Sequence, residues 1–340
     1  LKQSILSYCH TFEKNPMNIK FLLTFFTLIS GLSVFGQFSR ENISTDSSVI
    51  EIVRNSVYHI YEESYKNKDS VWYSVHFIKD TTRLNTEGWK RKNGKQLGIW
   101  KEYNFNKQLL FTRDYDNAIC EVNRKLFPHH EILERMKKKA DSLIISNYSK
   151  EFFDKQVRFN FNCYAYDKDG YVGSWTEPMK RKPTEFLLRY QVRLKNSDWQ
   201  SSMIGISLDE KGNYIPSHDR FNNNGFEKLN SENRTFEIDK TKAISVAKKH
   251  GLKGENVSEF LKWERFNKAT FYNGQFKYYI TELTDQIDEI KKEGRSRITY
   301  KFNVYSFNPW TGEFLETKKM KQIKEWGKDS GFTSGLLPDE

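Results

Sequence analysis

The sequence lacks most of the motifs that mark enzymatic chemistry. Its three cysteines, Cys9, Cys120 and Cys163, do not have the spacing of a metal or redox motif. It contains no Gly-x-Ser-x-Gly elbow and no glycine-rich phosphate loop. Members of a catalytic triad can be distant in sequence, so these absences do not exclude a hydrolase. We nevertheless predict a protein that is not an enzyme, with no catalytic, cofactor-binding or metal-binding residues.

The sequence also lacks a long apolar run. The most apolar stretch, residues 21–32, is shorter than the ~20 residues that a bilayer span needs. A short positive start containing Lys20 precedes it, and residues tolerated by a signal peptidase follow it. This layout predicts a secretory signal over residues 17–36, cleaved between Gly36 and Gln37, rather than a membrane anchor.

Residues 1–16 show neither an export signal nor a pattern that predicts folded structure. We expect them to be an upstream extension that is not translated, with Met17 as the true start. Cys9 lies in this extension, and no cysteine follows the apolar run closely, so a lipoprotein is disfavoured. We therefore expect an exported bacterial protein, periplasmic or secreted, with no membrane span in its mature form.

The charge is basic. Removal of residues 1–36 takes away three lysines and one glutamate, which lowers the formal charge from +11 to +9. Such a surface suits acidic partners, including anionic glycan, lipid headgroups or an acidic protein. Nucleic acid is disfavoured because the basic residues are spread along the chain and the protein is predicted to be exported.

Cys120 and Cys163 remain in the predicted mature chain. In an oxidising compartment they could form a disulfide. Both lie near apolar or aromatic residues, so two separate buried thiols are the alternative.

Residues 37–125 are predicted to form a β-rich N-terminal segment. Residues 71–77 alternate with a period of two, which is typical of a strand. Within the same segment, apolar residues at three- and four-residue spacing predict a helix over residues 46–65.

A glycine and aromatic pattern follows between residues 93 and 117. Asn93-Gly94, Gly98, Trp100 and Tyr103 are followed by Leu109-Leu110 and Tyr115. This order resembles a MORN-like repeat, although Lys107 stands where glycine is usual. The resemblance predicts a twisted hairpin in which Gly98 relieves a crowded backbone position.

Two units that each place a helix before a sheet are predicted next, at residues 126–220 and 235–322. A polar linker over residues 221–234 separates them, and a polar tail covers residues 323–340. Pro128 opens the first helix and Asp239 caps the second. The predicted fold class is therefore α+β, with helices packed on one face of antiparallel sheets.

The second unit carries a family resemblance. The motifs are Lys242-Ala243-Ile244-Ser245-Val246-Ala247, Tyr278-Tyr279-Ile280, and the stretch from Asn308 to Phe314 that contains Thr311-Gly312-Glu313. Together they resemble a PepSY-type domain, with Asn308 in place of the usual aspartate and a polar insertion at residues 284–297. The resemblance implies an exported binding or inhibitory module, often linked to peptidases, with no catalytic residues to carry over.

Two groups of residues suggest metal ligands. His130 and Glu134 stand four apart on one helix face, with His129 and Glu131 beside them. Asp167-Lys168-Asp169-Gly170 begins like a calcium loop but lacks the closing glutamate. Ordinary helix-end charges and a strand-connecting turn explain both patterns, so no metal site is predicted.

Tryptophan supplies the candidate binding surface. Trp175 and Trp310 fall in predicted turns, where we expect them to be exposed. The leading hypothesis is a non-catalytic binding module that binds or inhibits a peptidase or another envelope protein. The first alternative is an envelope structural protein that binds anionic glycan or lipid through basic faces. The second is a hydrolase with a cleft between the two helix–sheet units.

Overall fold

The computed structural model describes residues 39–215, 223–225, 235–267, 270–291, 295–327 and 331–339. The fold is mainly β, with 56% of residues in strands and 13% in helices. The predicted α+β class, with balanced helix–sheet units, is therefore wrong. The chain divides into two compact units, before and after the Gln108–Leu109 bond.

The described part of the first unit is an antiparallel meander in which each strand pairs with the next. Its strands are β1 (Ser39–Ser44), β2 (Ser48–Arg54), β3 (Tyr58–Tyr65), β4 (Ser70–Phe77), β5 (Asp80–Arg91) and β6 (Gln96–Tyr103). The alternation at residues 71–77 correctly predicted β4.

The helix predicted over residues 46–65 is wrong, because β2 and β3 occupy this stretch. Valine, isoleucine and tyrosine favour strands, and the apolar positions also fit a period of two. Asn55 supplies the turn, since its side-chain oxygen accepts hydrogen bonds from the backbone N–H groups of Val57 and Tyr58, both at 2.8 Å.

A tight turn at Asn93-Gly94 joins β5 to β6, where the Gly94 N–H donates to the Arg91 carbonyl at 2.8 Å. Gly98 has a left-handed backbone with φ of 55°, and its expected steric role stays a prediction. Gly88 is a crowded backbone position. A Cβ atom on Gly88 would lie 2.3 Å from the Trp100 ring, whose Nε1 donates to the Trp89 carbonyl at 2.8 Å.

The second unit contains three helices and two sheets in its described residues. The helices are α1 (His130–Asn147), α2 (Lys150–Gln156) and α3 (Lys240–Lys249). A hairpin of β7 (Leu109–Asp114) and β8 (Ile119–Val122) precedes them. The first sheet has the order β10-β9-β11-β12, from β9 (Val157–Asp167), β10 (Gly170–Gly173), β11 (Glu185–Val192) and β12 (Gln200–Asp209). The second has the order β13-β14-β15-β16-β17, with β18 also paired to β16; its strands are β13 (Val257–Asn267), β14 (Thr270–Lys291), β15 (Arg295–Phe307), β16 (Phe314–Trp326), β17 (Gly331–Thr333) and β18 (Leu337–Pro338).

Local sequence signals explain the helices. The predicted apolar stripe of α1 is buried, with Leu133, Met136 and Ile144 fully inaccessible. The predicted cap of α3 is confirmed, because a side-chain oxygen of Asp239 accepts from the Lys242 N–H at 2.8 Å. None of the helices in the described ranges has both the length and the apolar character of a membrane span.

Residues from both predicted helix–sheet units share one core. Phe152 of α2 lies 5.0 Å, ring to ring, from Trp310 and 5.1 Å from Phe236. The buried side chain of Gln156 accepts from the backbone N–H of Phe236 at 2.7 Å and donates to its carbonyl at 3.3 Å. Aromatic contacts and the pair of hydrogen bonds between Gln156 and Phe236, which we call the Gln156–Phe236 clasp, thus join the two predicted helix–sheet units.

Two polar stretches of the sequence are paired in the second sheet. Residues 284–291 and 295–297 of the polar insertion extend β14 and β15, and the predicted tail continues β16 and supplies β17 and β18. Within the predicted linker only residues 223–225 are described; there the Asn223 side chain is buried and accepts from the Ser207 N–H at 2.7 Å. The predicted signal and upstream extension lie outside the described residues.

Candidate functional site

The second sheet has one face against the core and one open face. Along β13, Leu261 is buried in the core while Phe260, Lys262 and Glu264 point the other way. The same alternation on β14, β15 and β16 places polar and aromatic side chains on the open face. Four adjacent strands therefore present one continuous surface.

A groove of about 300 Å³ lies on this face. We call it the sheet groove, and its lining residues come from four strands and the C-terminal segment: Phe260, Lys262, Glu264, Tyr279, Val304, Ser306, Glu316, Lys318, Met320 and Leu336. Its volume is at the lower end of the range for ligand pockets.

The floor of the groove is an aromatic pair. Phe260 and Tyr279 are register partners on β13 and β14, and their rings stack with centroids 4.8 Å apart and an angle of 20°. Val304 and Met320 continue the apolar floor. A flat apolar surface of this kind suits an aromatic or aliphatic group.

An ionic network fixes one side of the groove. Lys277 Nζ lies 3.0 Å from Glu264 Oε2 and 3.8 Å from Glu316 Oε1, and Lys318 Nζ lies 2.8 Å from Glu316 Oε1. The Tyr279 hydroxyl donates to Glu264. Both carboxylates are thus already compensated by cations.

The pKa shifts follow from these contacts. Burial, and then the hydrogen bond to Glu264, raises the pKa of Tyr279 well above its usual range. Burial alone would raise the pKa of Glu264, but the Tyr279 and Lys277 hydrogen bonds outweigh it and hold that pKa below its ordinary value. These two shifts keep Glu264 ionised and Tyr279 neutral around neutral pH, which is the pairing that their hydrogen bond requires.

The C-terminal segment forms the other wall. The backbone N–H of Ser334 donates to the Ile323 carbonyl of β16 at 2.8 Å, and the Ser334 Oγ accepts from the Ile323 N–H at 2.8 Å. This anchor presents Leu336 to the sheet groove. Lys262 is exposed at the rim and has no ion pair within the described ranges. Its charge acts on the Glu264 carboxylate, which is already paired with Lys277, so the rim keeps a net positive charge.

The structure corrects the predicted exposure of Trp175 and Trp310, since both are only 5% exposed. The Trp310 turn folds onto the core, where the ring stacks on Tyr148 at 5.5 Å. The Trp175 ring lies 4.7 Å from His130 and 4.9 Å from Phe159. Neither tryptophan forms a binding surface, because both rings are buried against other aromatic side chains.

The candidate metal ligands are only partly brought together. His130 Nδ1 lies 3.4 Å from Glu134 Oε1, so the predicted shared helix face is present. No cluster of three or more histidine, cysteine, aspartate or glutamate side chains occurs in the part of the chain that the structure covers. In the aspartate turn, Asp167 and Asp169 lie 3.3 and 3.4 Å from Arg181.

Among the described residues, Cys120 and Cys163 form no disulfide; Cys163 is buried and Cys120 partly buried. Burial raises the pKa of the Cys163 thiol to about 12. That thiol is therefore a poor nucleophile at neutral pH.

A second cavity, of about 450 Å³, lies where the two predicted helix–sheet units meet, as the hydrolase alternative requires. Glu151 and Glu237 contribute carboxylates to its lining, and Lys155 pairs with Glu151 at 2.9 Å. The lining residues include no histidine.

No protein-family model, no curated protein and no solved structure matches this chain. The PepSY-type and MORN-like resemblances therefore stay predictions. Sequence reasoning missed the sheet groove, although one signal was present: Phe260, Lys262 and Glu264 alternate on the strand face opposite Leu261.

Proposed function

We propose that this chain is an exported, non-catalytic binding protein whose sheet groove holds a peptide segment of a partner protein, such as an envelope peptidase. The export part rests on the signal pattern over residues 17–36. The binding part rests on one observation, the groove with its stacked Phe260–Tyr279 floor.

The chemistry of the groove specifies the peptide. The apolar floor takes an aromatic or aliphatic side chain, and about 300 Å³ accommodates only one or two such groups. Glu264 and Glu316 are neutralised within the network, which leaves Lys262 as the rim charge. Charge complementarity therefore favours an acidic residue next to the apolar one.

The test is selection from a displayed library of random peptides against the full chain. We expect enriched peptides to carry an apolar residue beside an acidic one. Two variants then map the site: Lys262→Glu reverses the rim charge, and Leu336→Trp fills the groove. Each should weaken the enriched peptide about tenfold or more, because Lys262→Glu repels the acidic residue of the peptide and Leu336→Trp occupies the space for its apolar side chain.

Lys319→Glu is the matched control, since Lys319 is also an exposed strand lysine but lies next to Lys318 on β16 and outside the groove lining. It should leave peptide affinity unchanged. The proposal fails if no peptide is enriched, or if the enriched peptide binds the Lys262→Glu and Lys319→Glu variants equally well.

A further inference from the structure

A second site, outside the sheet groove, is built from arginine and aromatic side chains. Arg158 and Arg193 both lie over the ring of Trp199, with their Cζ atoms 4.5 and 4.3 Å from its centroid. Arg113 lies nearby, 4.7 Å from the Tyr115 ring. We call Arg113, Arg158, Arg193 and Trp199 the arginine cluster.

Two separate pieces of the second unit supply the cluster. Arg113 is on β7 of the β7–β8 hairpin. The other three belong to the four-stranded sheet, where Arg158 is on β9, Arg193 directly follows β11 and Trp199 directly precedes β12. No single stretch of sequence holds these residues, so only the folded chain creates the site.

Hydrogen bonds orient two of the guanidinium groups but leave donors unused. Arg158 donates from Nε to Gln191 Oε1 at 2.6 Å and from Nη1 to the Tyr115 carbonyl at 3.4 Å. Arg193 donates from Nε to the Lys155 carbonyl at 3.2 Å. Several N–H donors have no acceptor among the described residues: Arg158 Nη2, both Nη groups of Arg193 and all of the Arg113 guanidinium. These fixed forks match the geometry of an oxyanion.

No ion pair within the described chain compensates the cluster at close range. Among the described residues, no carboxylate lies within 4.0 Å of the guanidinium groups of Arg113, Arg158 or Arg193. Burial, and then the positive charges of Arg193 and Arg113, lowers the pKa of Arg158, and Asp116 opposes this shift. Cation–π contacts stabilise each guanidinium–ring pair, but they do not offset the repulsion among three neighbouring cations.

We propose that the arginine cluster binds a tetrahedral oxyanion, a phosphate or sulfate group, which accepts hydrogen bonds from the unused N–H donors and offsets up to two of the three positive charges. This binding goes beyond the proposed peptide function and involves none of the groove residues. Acetate, a planar monoanion, should bind more weakly because it carries less charge and fewer acceptor oxygens.

The test is titration of the full chain with inorganic phosphate, inorganic sulfate and acetate at constant ionic strength, followed by calorimetry and by NMR of the arginine Nε–H signals. We expect saturable binding of phosphate or sulfate at millimolar concentrations or below, with shifts at Arg158 and Arg193. Arg113→Gln should weaken binding about tenfold or more, since a charge-assisted hydrogen bond is lost. The Arg113 guanidinium makes no described hydrogen bond, so within the described chain this variant removes only its contacts with the Tyr115 and Phe161 rings.

Arg189→Gln is the control. Arg189 also lies over a single tyrosine, 5.2 Å from the Tyr164 ring, but belongs to no cluster. Its loss should leave anion affinity unchanged, and Arg113→Gln should leave binding of the groove peptide unchanged. Absence of saturable phosphate and sulfate binding, or equal losses in Arg113→Gln and Arg189→Gln, would overturn the proposal.

Discussion

At the scale of single residues, His130 is a titratable side chain that the fold buries. It is 2% exposed, with its ring edge against Trp175. Burial lowers its pKa below the ordinary value of 6.5, and the nearby Glu134 carboxylate opposes this shift. The folded protein thus holds this proton less tightly than the unfolded chain does.

Above about pH 6.5, His130 is neutral in both the folded and the unfolded chain and does not lower the stability. Below that pH, the unfolded chain binds a proton that the buried ring does not bind, so the free energy of unfolding falls. His130→Phe keeps an aromatic ring and removes the proton. We expect it to flatten the slope of stability against pH between 7 and 5 by at most one proton, about 1.4 kcal/mol per pH unit.

Urea unfolding at several pH values measures this slope. His129→Asn is the control, because His129 has a left-handed backbone with φ of 65° that asparagine tolerates. A His130→Phe slope equal to that of the parent protein would contradict the burial argument.

At the scale of elements, tryptophans on one strand cover glycines on the next. Trp100 of β6 lies over Gly88 of β5, and Trp263 of β13 lies over Gly274 of β14, where an added Cβ would come within 2.3 and 2.6 Å of the ring. The indole replaces the missing side chain, which preserves strand pairing at a residue that otherwise weakens a sheet.

Gly88→Ala should therefore destabilise the first unit. The added methyl must displace the 7% exposed Trp100 ring, and overpacking of this kind costs about 1–3 kcal/mol. Gly94→Asn is the comparison, because Gly94 has φ of 86° and open space around its Cβ position. It should change the free energy of unfolding by less than about 0.5 kcal/mol in a denaturant titration. Equal effects of the two changes would show that the Trp100–Gly88 contact carries no packing energy.

The elements that could be predicted from sequence are those with one buried face. The stripe of α1, the Asp239 cap and the strand at residues 71–77 each carry a local signal that the fold preserves. The helix prediction for residues 46–65 was wrong because their apolar spacing fits the period of a helix and that of a strand. The strand preference of valine, isoleucine and tyrosine decided between the two. Residues 284–289 are exposed, so no apolar alternation marks the strand there.

The sheet groove could be anticipated only in part. Phe260, Lys262 and Glu264 share a face by simple alternation. The ion pairs from Lys277 to Glu264 and Glu316 depend on which strands are neighbours, and local patterns do not specify strand order. The predicted exposure of Trp310 was wrong for a similar reason. Its position in a turn does not indicate that the turn folds onto α2.

At the scale of the whole molecule, the core of residues 109–340 is continuous through Trp310. Its ring lies 4.3 Å from Phe236, 5.0 Å from Phe152 and 5.5 Å from Tyr148, and so joins the hairpin of β15 and β16 to α2. If the two predicted helix–sheet units were separate bodies, a cavity at Trp310 would lower the stability of the second unit only. Because they share one core, we expect them to unfold together, so the cavity lowers the stability of both.

Trp310→Ala distinguishes these outcomes. We expect it to lower the free energy of unfolding by about 3–5 kcal/mol, the cost of removing a buried aromatic side chain. Hydrogen exchange should show reduced protection of the amides of both β9 and β14, which lie in different predicted units. Trp326→Ala is the control, because Trp326 is 39% exposed on β16 and should cost much less. Loss of protection confined to β14 would mean that the Gln156–Phe236 clasp and the aromatic contacts do not couple the two sheets.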